Sequence, residues 1–235
     1  FTKNKGLNHR TVISLFEDDL QNLWVGLNNG ICFIEQGSPF SLINEDLELE
    51  GTGHGAVTLN GKTYLGTSSG LFTMKESNTT DLSNAGYEIV QGSAGLVNDL
   101  SLVGQNLFIS HHEGAYFYNN TNGVDLFYQK TGTWSYKTFG PNKIIGGTYN
   151  GFQLVKANPT EIIQSKDLAG LNESSRVFEF VNDSTLWMTH GFKGAYKVKI
   201  KGDSIASVSH YGADSGFPSN ILISVYRVFG ELVFT

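Results

Sequence analysis

Histidines and acidic residues form the groups in this sequence that are best suited to metal binding or acid–base chemistry. The densest is His111, His112 and Glu113, whose side chains are all potential metal ligands. Adjacent residues of a β-strand face opposite sides, so both imidazoles cannot easily reach one ion. We therefore predict polar groups at the surface or between repeats here, and no metal site or cofactor.

Two further candidates for catalysis also lack partners. Glu17, Asp18 and Asp19 could supply the two carboxylates that glycoside hydrolysis requires, but no other segment offers a matching acid. His190 stands directly before a turn, no Gly-x-Ser-x-Gly elbow occurs, and no nucleophile has a partner at a readable spacing. We predict a hydrogen-bonded turn histidine and no catalytic residue, so the chain is not expected to be an enzyme.

The elements that carry these residues repeat along the chain. A short apolar strand, a turn and a glycine that opens another apolar strand recur, with the glycines at positions 30, 70, 114, 151 and 194. The intervals are therefore 40, 44, 37 and 43 residues. A period near forty with strand content throughout is typical of the blades of a β-propeller.

Composition supports one all-β domain over residues 1–235. Charged residues make up 16% of the chain against about 25% in ordinary globular proteins, and there are 28 glycines. A net charge of −6 without a basic run argues against nucleic-acid binding by this domain. The single cysteine excludes an intramolecular disulfide, and no stretch of about 18 apolar residues could span a membrane.

Each repeat is expected to contribute four strands. Inner strands are predicted at 12–16, 56–59, 98–103, 133–137, 177–181 and 221–225. A large residue of the second strand should wedge between blades, namely Trp24, Tyr64, Phe108, Ile145 or Trp187. The closing glycine should have a positive φ, after a turn of type I′ as at residues 28–30, 68–70 and 149–151. Outer strands are predicted at 46–50 and 87–90.

The count is five complete blades and the first two strands of a sixth. Because an unfinished blade would leave an open sheet edge, we expect an incomplete propeller. The remaining blades of a larger, seven-bladed ring would then lie outside these residues. The first residues, Phe-Thr-Lys-Asn-Lys, are not an initiator or signal sequence, which also favours a fragment cut at both ends.

The repeat resembles a known family. Residues 6–34 fit the pattern Gly-Leu-x-Asn-x-x-Val-x-Ser-Leu-x-Glu-Asp … Asn-Leu-Trp-x-Gly … Gly-Ile, and residues 216–220 restart it as Gly-Phe-Pro-Ser-Asn. This is similar to the two-component-regulator propeller repeat, which builds the periplasmic sensor regions of many Bacteroidetes signalling proteins. The resemblance covers almost the whole chain, and its motifs are structural. It places Asp18 in a hairpin, where the carboxylate caps the turn.

The resemblance also implies what would surround this chain in a complete protein. Details at 27–31 and 172–194 look like the branch that joins a propeller to a triple-tyrosine β-sandwich, a membrane helix and a LuxR-type DNA-binding regulator. A sister branch carries a hybrid histidine kinase and suggests glycan-related sensing. The choice between the two output modules stays open. Either implies a periplasmic ectodomain of an inner-membrane protein.

Candidate ligand residues are those where the chain begins each inner strand. These starts converge on one mouth of the propeller channel, where several blades can each contribute a side chain. The predicted set is His9, Arg10, His54, Asn98, Asp99, Trp134, Arg176 and Asn220. Such side chains could stack on and hydrogen-bond a sugar or a carboxylate. Alternatively, Asn8, Asn98 and Asn220 only brace the turns.

The sequence thus favours a non-enzymatic sensor of an unknown small molecule, glycan or partner, with a possible homodimer through the ectodomain. Two alternatives stay open. A soluble propeller enzyme acting on carbohydrate would need carboxylates or histidines converging on the channel floor. A structural or protein-interaction propeller would have a channel mouth lined only with bracing Asn and Ser.

Overall fold

The computed structural model describes residues 7–36, 42–75, 85–119, 123–140, 143–158 and 161–235. The chain divides into two compact units, Phe1–Ile43 and Asn44–Thr235. Strands dominate both, and the helices among the described residues are two 3₁₀ segments, at Glu45–Leu47 and Ala213–Ser215. None of the described helices has the length and apolarity needed to cross a bilayer.

The first unit holds a three-stranded antiparallel sheet, which we call blade 1. Its strands are β1 (Val12–Glu17), β2 (Leu23–Leu27) and β3 (Gly30–Ile34), paired in that order. Asp18 closes the β1–β2 hairpin, because its Oδ1 accepts hydrogen bonds from the backbone N–H groups of Leu20 and Asn22 at 3.0 and 2.9 Å. The N–H of Asn22, followed by the indole of Trp24, holds the pKa of this carboxyl below its ordinary value. The turn-capping role predicted for Asp18 is confirmed.

The second unit contains four four-stranded antiparallel sheets and one two-stranded sheet, blades 2 to 6, each paired in chain order. Blade 2 contains β4 (Gly53–Leu59), β5 (Lys62–Thr67), β6 (Leu71–Met74) and β7 (Tyr87–Ile89), and blade 3 contains β8 (Val97–Val103), β9 (Asn106–His111), β10 (Gly114–Asn119) and β11 (Gly123–Tyr128). Blade 4 contains β12 (Thr133–Thr138), β13 (Lys143–Thr148), β14 (Gly151–Ala157) and β15 (Ile162–Leu168), and blade 5 contains β16 (Val177–Asn182), β17 (Thr185–His190), β18 (Gly194–Lys201) and β19 (Ser204–Tyr211). Blade 6 contains β20 (Val225–Val228) and β21 (Glu231–Phe234). The predicted all-β blade architecture is confirmed.

Two predicted strands are wrong. The outer strand expected at 46–50 is not formed, because Asn44 caps a 3₁₀ segment and Glu48 follows it with a left-handed φ of 65°. The inner strand expected at 221–225 begins only at Val225. The preceding residues make a turn in which Leu222 has a φ of 59° and donates its N–H to the carbonyl of Gly191 at 2.9 Å.

The turns between second and third strands differ from type I′. Such a turn needs a positive φ at both central residues. The described non-glycine residues with positive φ do not include 28, 29, 149 or 150. The positive φ lies instead at the closing glycine, as predicted, for example 110° at Gly151. A Cβ on Gly151 would lie 2.2 Å from the carbonyl oxygen of Leu171, so the close approach of the backbone also requires glycine.

The cores of the second unit lie between neighbouring blades. Tyr64 packs with residues of blade 3, Phe108 with residues of blade 4, and Ile145 with residues of blade 5. These three predicted wedges are buried. Trp187 contacts Phe234 of blade 6, with ring centroids 5.2 Å apart. In the first unit Trp24 packs on Phe33 of its own sheet and stays 42% exposed.

Candidate functional site

In blades 2 to 5 the last residue of the second strand supports the turn that follows it. Its side chain accepts a hydrogen bond from the backbone N–H two residues later in blades 2 to 5. The acceptors are Thr67 (3.0 Å), His111 (3.1 Å), Thr148 (3.1 Å) and His190 (3.2 Å). Since His and Thr both supply such an acceptor, His190 is a turn histidine, as the sequence predicted.

His111 and His112 point to different surroundings. His111 is 1% exposed, and burial lowers the pKa of its imidazole, so the ring is neutral at pH 7. His112 is exposed, and its Nδ1 lies 3.0 Å from the hydroxyl of Tyr149. The two rings therefore do not share a ligand position. The described residues contain no group of three His, Cys, Asp or Glu side chains arranged to hold a metal ion.

Four of the eight predicted ligand residues come together. Asn98, Asp99, Trp134 and Arg176 line one cavity of about 320 Å³. We call it the inner-strand pocket, because its lining comes from β8, β12, β16 and β20 of four successive blades, together with Arg176, which directly precedes β16. Its lining also includes Ser135, Lys137, Val177, Phe178, Glu179, Val225 and Tyr226.

The other four predicted residues do not line this pocket. His54 is exposed on β4. Asn220 braces a turn, because its Oδ1 accepts the N–H of Ala213 at 2.7 Å and its carbonyl accepts the N–H of Gly194 at 2.7 Å. His9 and Arg10 belong to the first unit, where His9 accepts the N–H of Thr11 at 3.0 Å.

Trp134 and Arg176 contact each other in the lining of the pocket. The guanidinium of Arg176 lies 5.1 Å from the centre of the Trp134 ring, a cation–π contact. The indole is fixed from two further directions, by a hydrogen bond from Nε1 to Ser174 at 2.9 Å and by Tyr149 at a centroid distance of 4.6 Å. Arg176 is exposed, and no carboxylate of the described residues lies within ion-pair distance of it.

Asn98 is a brace as well as a pocket residue. Its Nδ2 donates to the carbonyl of Thr133 at 2.8 Å and to the hydroxyl of Tyr149 at 3.0 Å. These bonds join blade 3 to blade 4 and use both N–H groups of the amide. The bracing alternative is therefore correct for the donor side of Asn98, whereas Oδ1 accepts no hydrogen bond from the described residues.

The two carboxylates of the pocket are held by the protein itself. Glu179 pairs with Lys137 at 2.5 Å, across blades 4 and 5. Asp99 accepts the hydroxyl of Ser101 at 2.7 Å. Burial raises the pKa of Asp99, against the hydrogen bond from Ser101 and the nearby charge of Lys137. Both acids thus have structural partners.

Gly147 positions this site and was not singled out from the sequence. A Cβ on Gly147 would lie 2.1 Å from the carbonyl oxygen of Ser175, the residue before Arg176. The N–H of Ser175 also donates to Thr148 at 3.0 Å. A signal was present, since glycine recurs four residues before the closing glycine at 26, 66 and 147. The small residue lets the next blade approach.

Two larger cavities lie elsewhere in the second unit. One of about 820 Å³ is lined by residues of blade 2 and the segment before it, including Glu45, Glu48 and Glu50. The other, of about 520 Å³, lies between blades 3 and 4, beside the turn that joins β8 and β9, and its lining is mostly apolar. Neither brings together side chains from more than two blades, so the smaller inner-strand pocket is the better candidate site.

Comparison with known proteins gives matches in structure and none in sequence, since no protein-family profile and no curated protein sequence matches the chain. The extracellular domain of BT3049 from B. thetaiotaomicron, described as a hybrid two component system, aligns with 98% of this chain, and the aligned part is 32% of the BT3049 domain. The TM-score is 0.74 and the sequence identity 18%. The extracellular domain of BT4673 from the same organism, described as a one component system, aligns with 97% of this chain over 34% of its own length, with a TM-score of 0.61 and 14% identity. The WD40 β-propeller domain of Doa1 matches 94% over 70%, with a TM-score of 0.51 and 14% identity.

These likenesses show the fold. The chain shares its fold with these extracellular domains and with the WD40 β-propeller domain of Doa1, so the predicted propeller fold is confirmed. The chain spans about one third of the length of the extracellular domains that it matches.

Proposed function

We propose that this chain belongs to the periplasmic sensing region of a membrane-anchored signalling or transcriptional regulator. The inner-strand pocket would be the place where a ligand or partner is sensed. The fold shared with extracellular domains of B. thetaiotaomicron regulators supports the location outside the cytoplasm. The pocket supports the sensing role.

One observation carries the proposal. Arg176 is held over Trp134 in a pocket built by four successive blades, and it has no acidic partner among the described residues. An exposed cation in this position adds little to the stability of the fold. It would offer a ligand an oriented positive charge and hydrogen-bond donors. Pockets of this size, with a few convergent polar groups, are typical of small-molecule sites.

The pocket favours binding over catalysis. A carbohydrate-cleaving enzyme would need one carboxylate free to donate a proton and a second free to act on the sugar or water. Glu179 is paired with Lys137, so Asp99, whose pKa is raised by burial, is the one carboxylate of the lining without a cation partner among the described residues, and a second free carboxylate is missing from it. We therefore propose a non-enzymatic role.

Signalling would require the ligand to prefer one of two arrangements of the regulator. A ligand shifts an equilibrium only by its difference in affinity for the two states. The inner-strand pocket lies on β8, β12, β16 and β20, so ligand contacts there would bias how four blades sit relative to one another. We propose that this bias changes the pairing of two ectodomains and is passed on through the membrane.

A protein-interaction role is the second candidate. It is favoured by the bracing roles of Asn98 and Asn220. Asn98 uses both of its N–H groups within the protein, and Asn220 uses its side-chain oxygen. In that case the channel mouth would act as a rigid platform for a partner and no small molecule would bind.

Thermal shift of the complete ectodomain against oligosaccharides, organic acids and peptides tests the proposal. A ligand at about 100 times its Kd stabilises the folded state by about 2.7 kcal/mol, which is readily measured. We expect a selective shift that is lost in Trp134→Ala and Arg176→Ala. Lys197→Ala is the matched control, because Lys197 also stacks on a tryptophan, Trp187, but lies outside the pocket.

Two outcomes would contradict the proposal. A shift that survives both pocket variants would place the ligand elsewhere on the chain. The lack of any shift across the panel, together with tight self-association or capture of a defined partner, would favour the protein-interaction role.

A further inference from the structure

We propose that the inner-strand pocket selects a small carboxylate that also carries hydroxyl groups, and that Arg176 binds the carboxylate. The inference rests on the sensing role proposed above and narrows it to one chemical class. A sugar acid and an open-chain hydroxy acid share this chemistry, and the experiment below separates them.

The charges of the pocket single out Arg176. Lys137 is the other cation of the lining, and it is paired with Glu179 at 2.5 Å. On the same face of blade 5, Lys193 is paired with Glu173 at 2.8 Å. Arg176 lacks such a partner among the described residues, so a ligand carboxylate would meet an unneutralised guanidinium. That group can form two parallel N–H···O bonds with a carboxylate.

Arg176 is also pre-oriented. Its guanidinium rests on the Trp134 ring, and Trp134 is itself fixed by Ser174 and Tyr149. A planar fork whose position is already set loses little conformational freedom on binding. Because Arg176 and Tyr149 already crowd the indole, we expect the ligand to engage the edge of the guanidinium and not the face of the tryptophan.

Asn98 supplies the preference for hydroxyl groups. Both N–H groups of its amide are used by Thr133 and Tyr149, which leaves Oδ1 as the available acceptor of a residue that lines the pocket. An acceptor of this kind pairs with a hydroxyl and repels a second carboxylate. The ligand should therefore present at least one O–H besides its acid group.

The volume limits the size of the ligand. About 320 Å³ is at the lower end of the range of roughly 300–1,000 Å³ found for small-molecule sites. One monosaccharide acid or one short hydroxy acid would fill it. A longer glycan would have to extend into solvent.

Calorimetric titration of the full chain with matched pairs of compounds tests the inference. D-galacturonate is compared with D-galactose, and D-glycerate with glycerol, so that in each pair a single carboxylate replaces a hydroxymethyl group. We expect saturable binding of at least one carboxylate and at least about 10-fold weaker binding of its neutral counterpart. Binding of galacturonate but not glycerate identifies a sugar acid, and binding of glycerate but not galacturonate identifies an open-chain hydroxy acid.

Variants of the pocket sharpen the test. Arg176→Gln should weaken binding of the carboxylate by about 10–100-fold. Arg176→Lys should recover part of it, since the charge is kept and the fork is lost. Lys197→Gln, which removes the equivalent cation from the Trp187 ring, should leave the affinity unchanged.

The results that overturn the inference differ from those that overturn the sensing role. Equal binding of galactose and galacturonate, unaffected by Arg176→Gln, would refute carboxylate selection and leave a sensor of neutral ligands. No saturable binding of either acid at about 10 mM, where millimolar affinity would be visible, also refutes it. The sensing role itself then depends on the wider panel of the thermal-shift experiment.

Discussion

The charged residues at the two ends of the boundary between blades 4 and 5 have different partners. At the end that holds the β18–β19 turn, Asp203 lies 2.7 Å from Lys143, 3.1 Å from Lys156 and 3.8 Å from Lys166. At the end where β16 begins, Arg176 has an aromatic ring beneath it and no acid of the described residues within ion-pair distance. The first end uses charge to join two blades, whereas the second leaves charge available for something outside the protein.

Between these ends lies the apolar core that holds the two blades together. Phe178 is 1% exposed and meets Phe152 edge-on, with ring centroids 5.2 Å apart. Packing of this kind involves no charged group. The two ends can therefore differ in charge without losing the boundary, and variants along it should separate stability from binding.

The largest expected effect is that of Phe178→Ala. Truncating a buried phenylalanine removes apolar contacts and leaves a cavity, so unfolding should become easier by about 3–5 kcal/mol. Urea denaturation measures this loss. Ile163→Ala is the control, because Ile163 is 63% exposed and should cost about 0.5 kcal/mol or less. A loss below about 1 kcal/mol for Phe178→Ala would mean that the boundary is not held by this core.

Gly147→Ala should have the next largest effect. Its new methyl group would meet the carbonyl oxygen of Ser175 at 2.1 Å, and backbone cannot move aside as a flexible side chain would. We expect a loss of about 1–3 kcal/mol and weaker ligand binding, since Ser175 sets the position of Arg176. Gly191→Ala is the control, because nothing lies within 4 Å of its Cβ position. Equal stability of the two variants in urea would contradict the close approach of the blades.

Asp203→Asn should have a smaller effect that depends on pH. The hydrogen bonds from Lys143 and then Lys156 lower the pKa of Asp203 from 3.8 to about 2. Because the folded state holds the charged form, this stabilisation is present above about pH 4 and is lost as the pH falls toward 2. The Tm difference between the protein and Asp203→Asn should therefore shrink over that interval, and salt should reduce it at neutral pH.

A control variant separates this effect from general acid unfolding. Asp183→Asn lies in the exposed β16–β17 turn and should follow the parent protein at every pH. A Tm difference for Asp203→Asn that stays constant from pH 6 to the acid limit would show that the lysine cluster does not favour the charged carboxylate.

Much of the fold could be predicted from the sequence, because it depends on local and repeated features. Closing glycines at regular intervals mark places where the backbone takes a positive φ, as at Gly151. Strands alternate with turns whose backbone conformation few residues other than glycine can adopt. The errors occurred where a local pattern was overruled, as at Glu48, whose left-handed backbone ends the alternation of apolar and acidic residues.

The candidate site could be predicted only in part. The repeat gives the position at which each inner strand starts, and this was enough to find Trp134 and Arg176. It does not give the partners across blades, so the Lys137–Glu179 pair and the contact of Gly147 with Ser175 were missed. Both are contacts between residues about thirty to forty positions apart, and they depend on how closely two blades pack.

Arg176→Gln should have the smallest effect on stability of the four variants along the boundary, the control variants aside. The residue is exposed, and a cation–π contact at an exposed site contributes about 0.5–1 kcal/mol. Lys197→Gln, which removes the comparable contact on Trp187 at 5.6 Å, should cost a similar amount. Urea denaturation at low and high salt measures both. A much larger loss for Arg176→Gln, or a strong dependence on salt, would reveal an acidic partner and make this end of the boundary like the one at Asp203. If instead the two variants match in stability while only Arg176→Gln affects ligand binding, the arginine serves a ligand and not the fold.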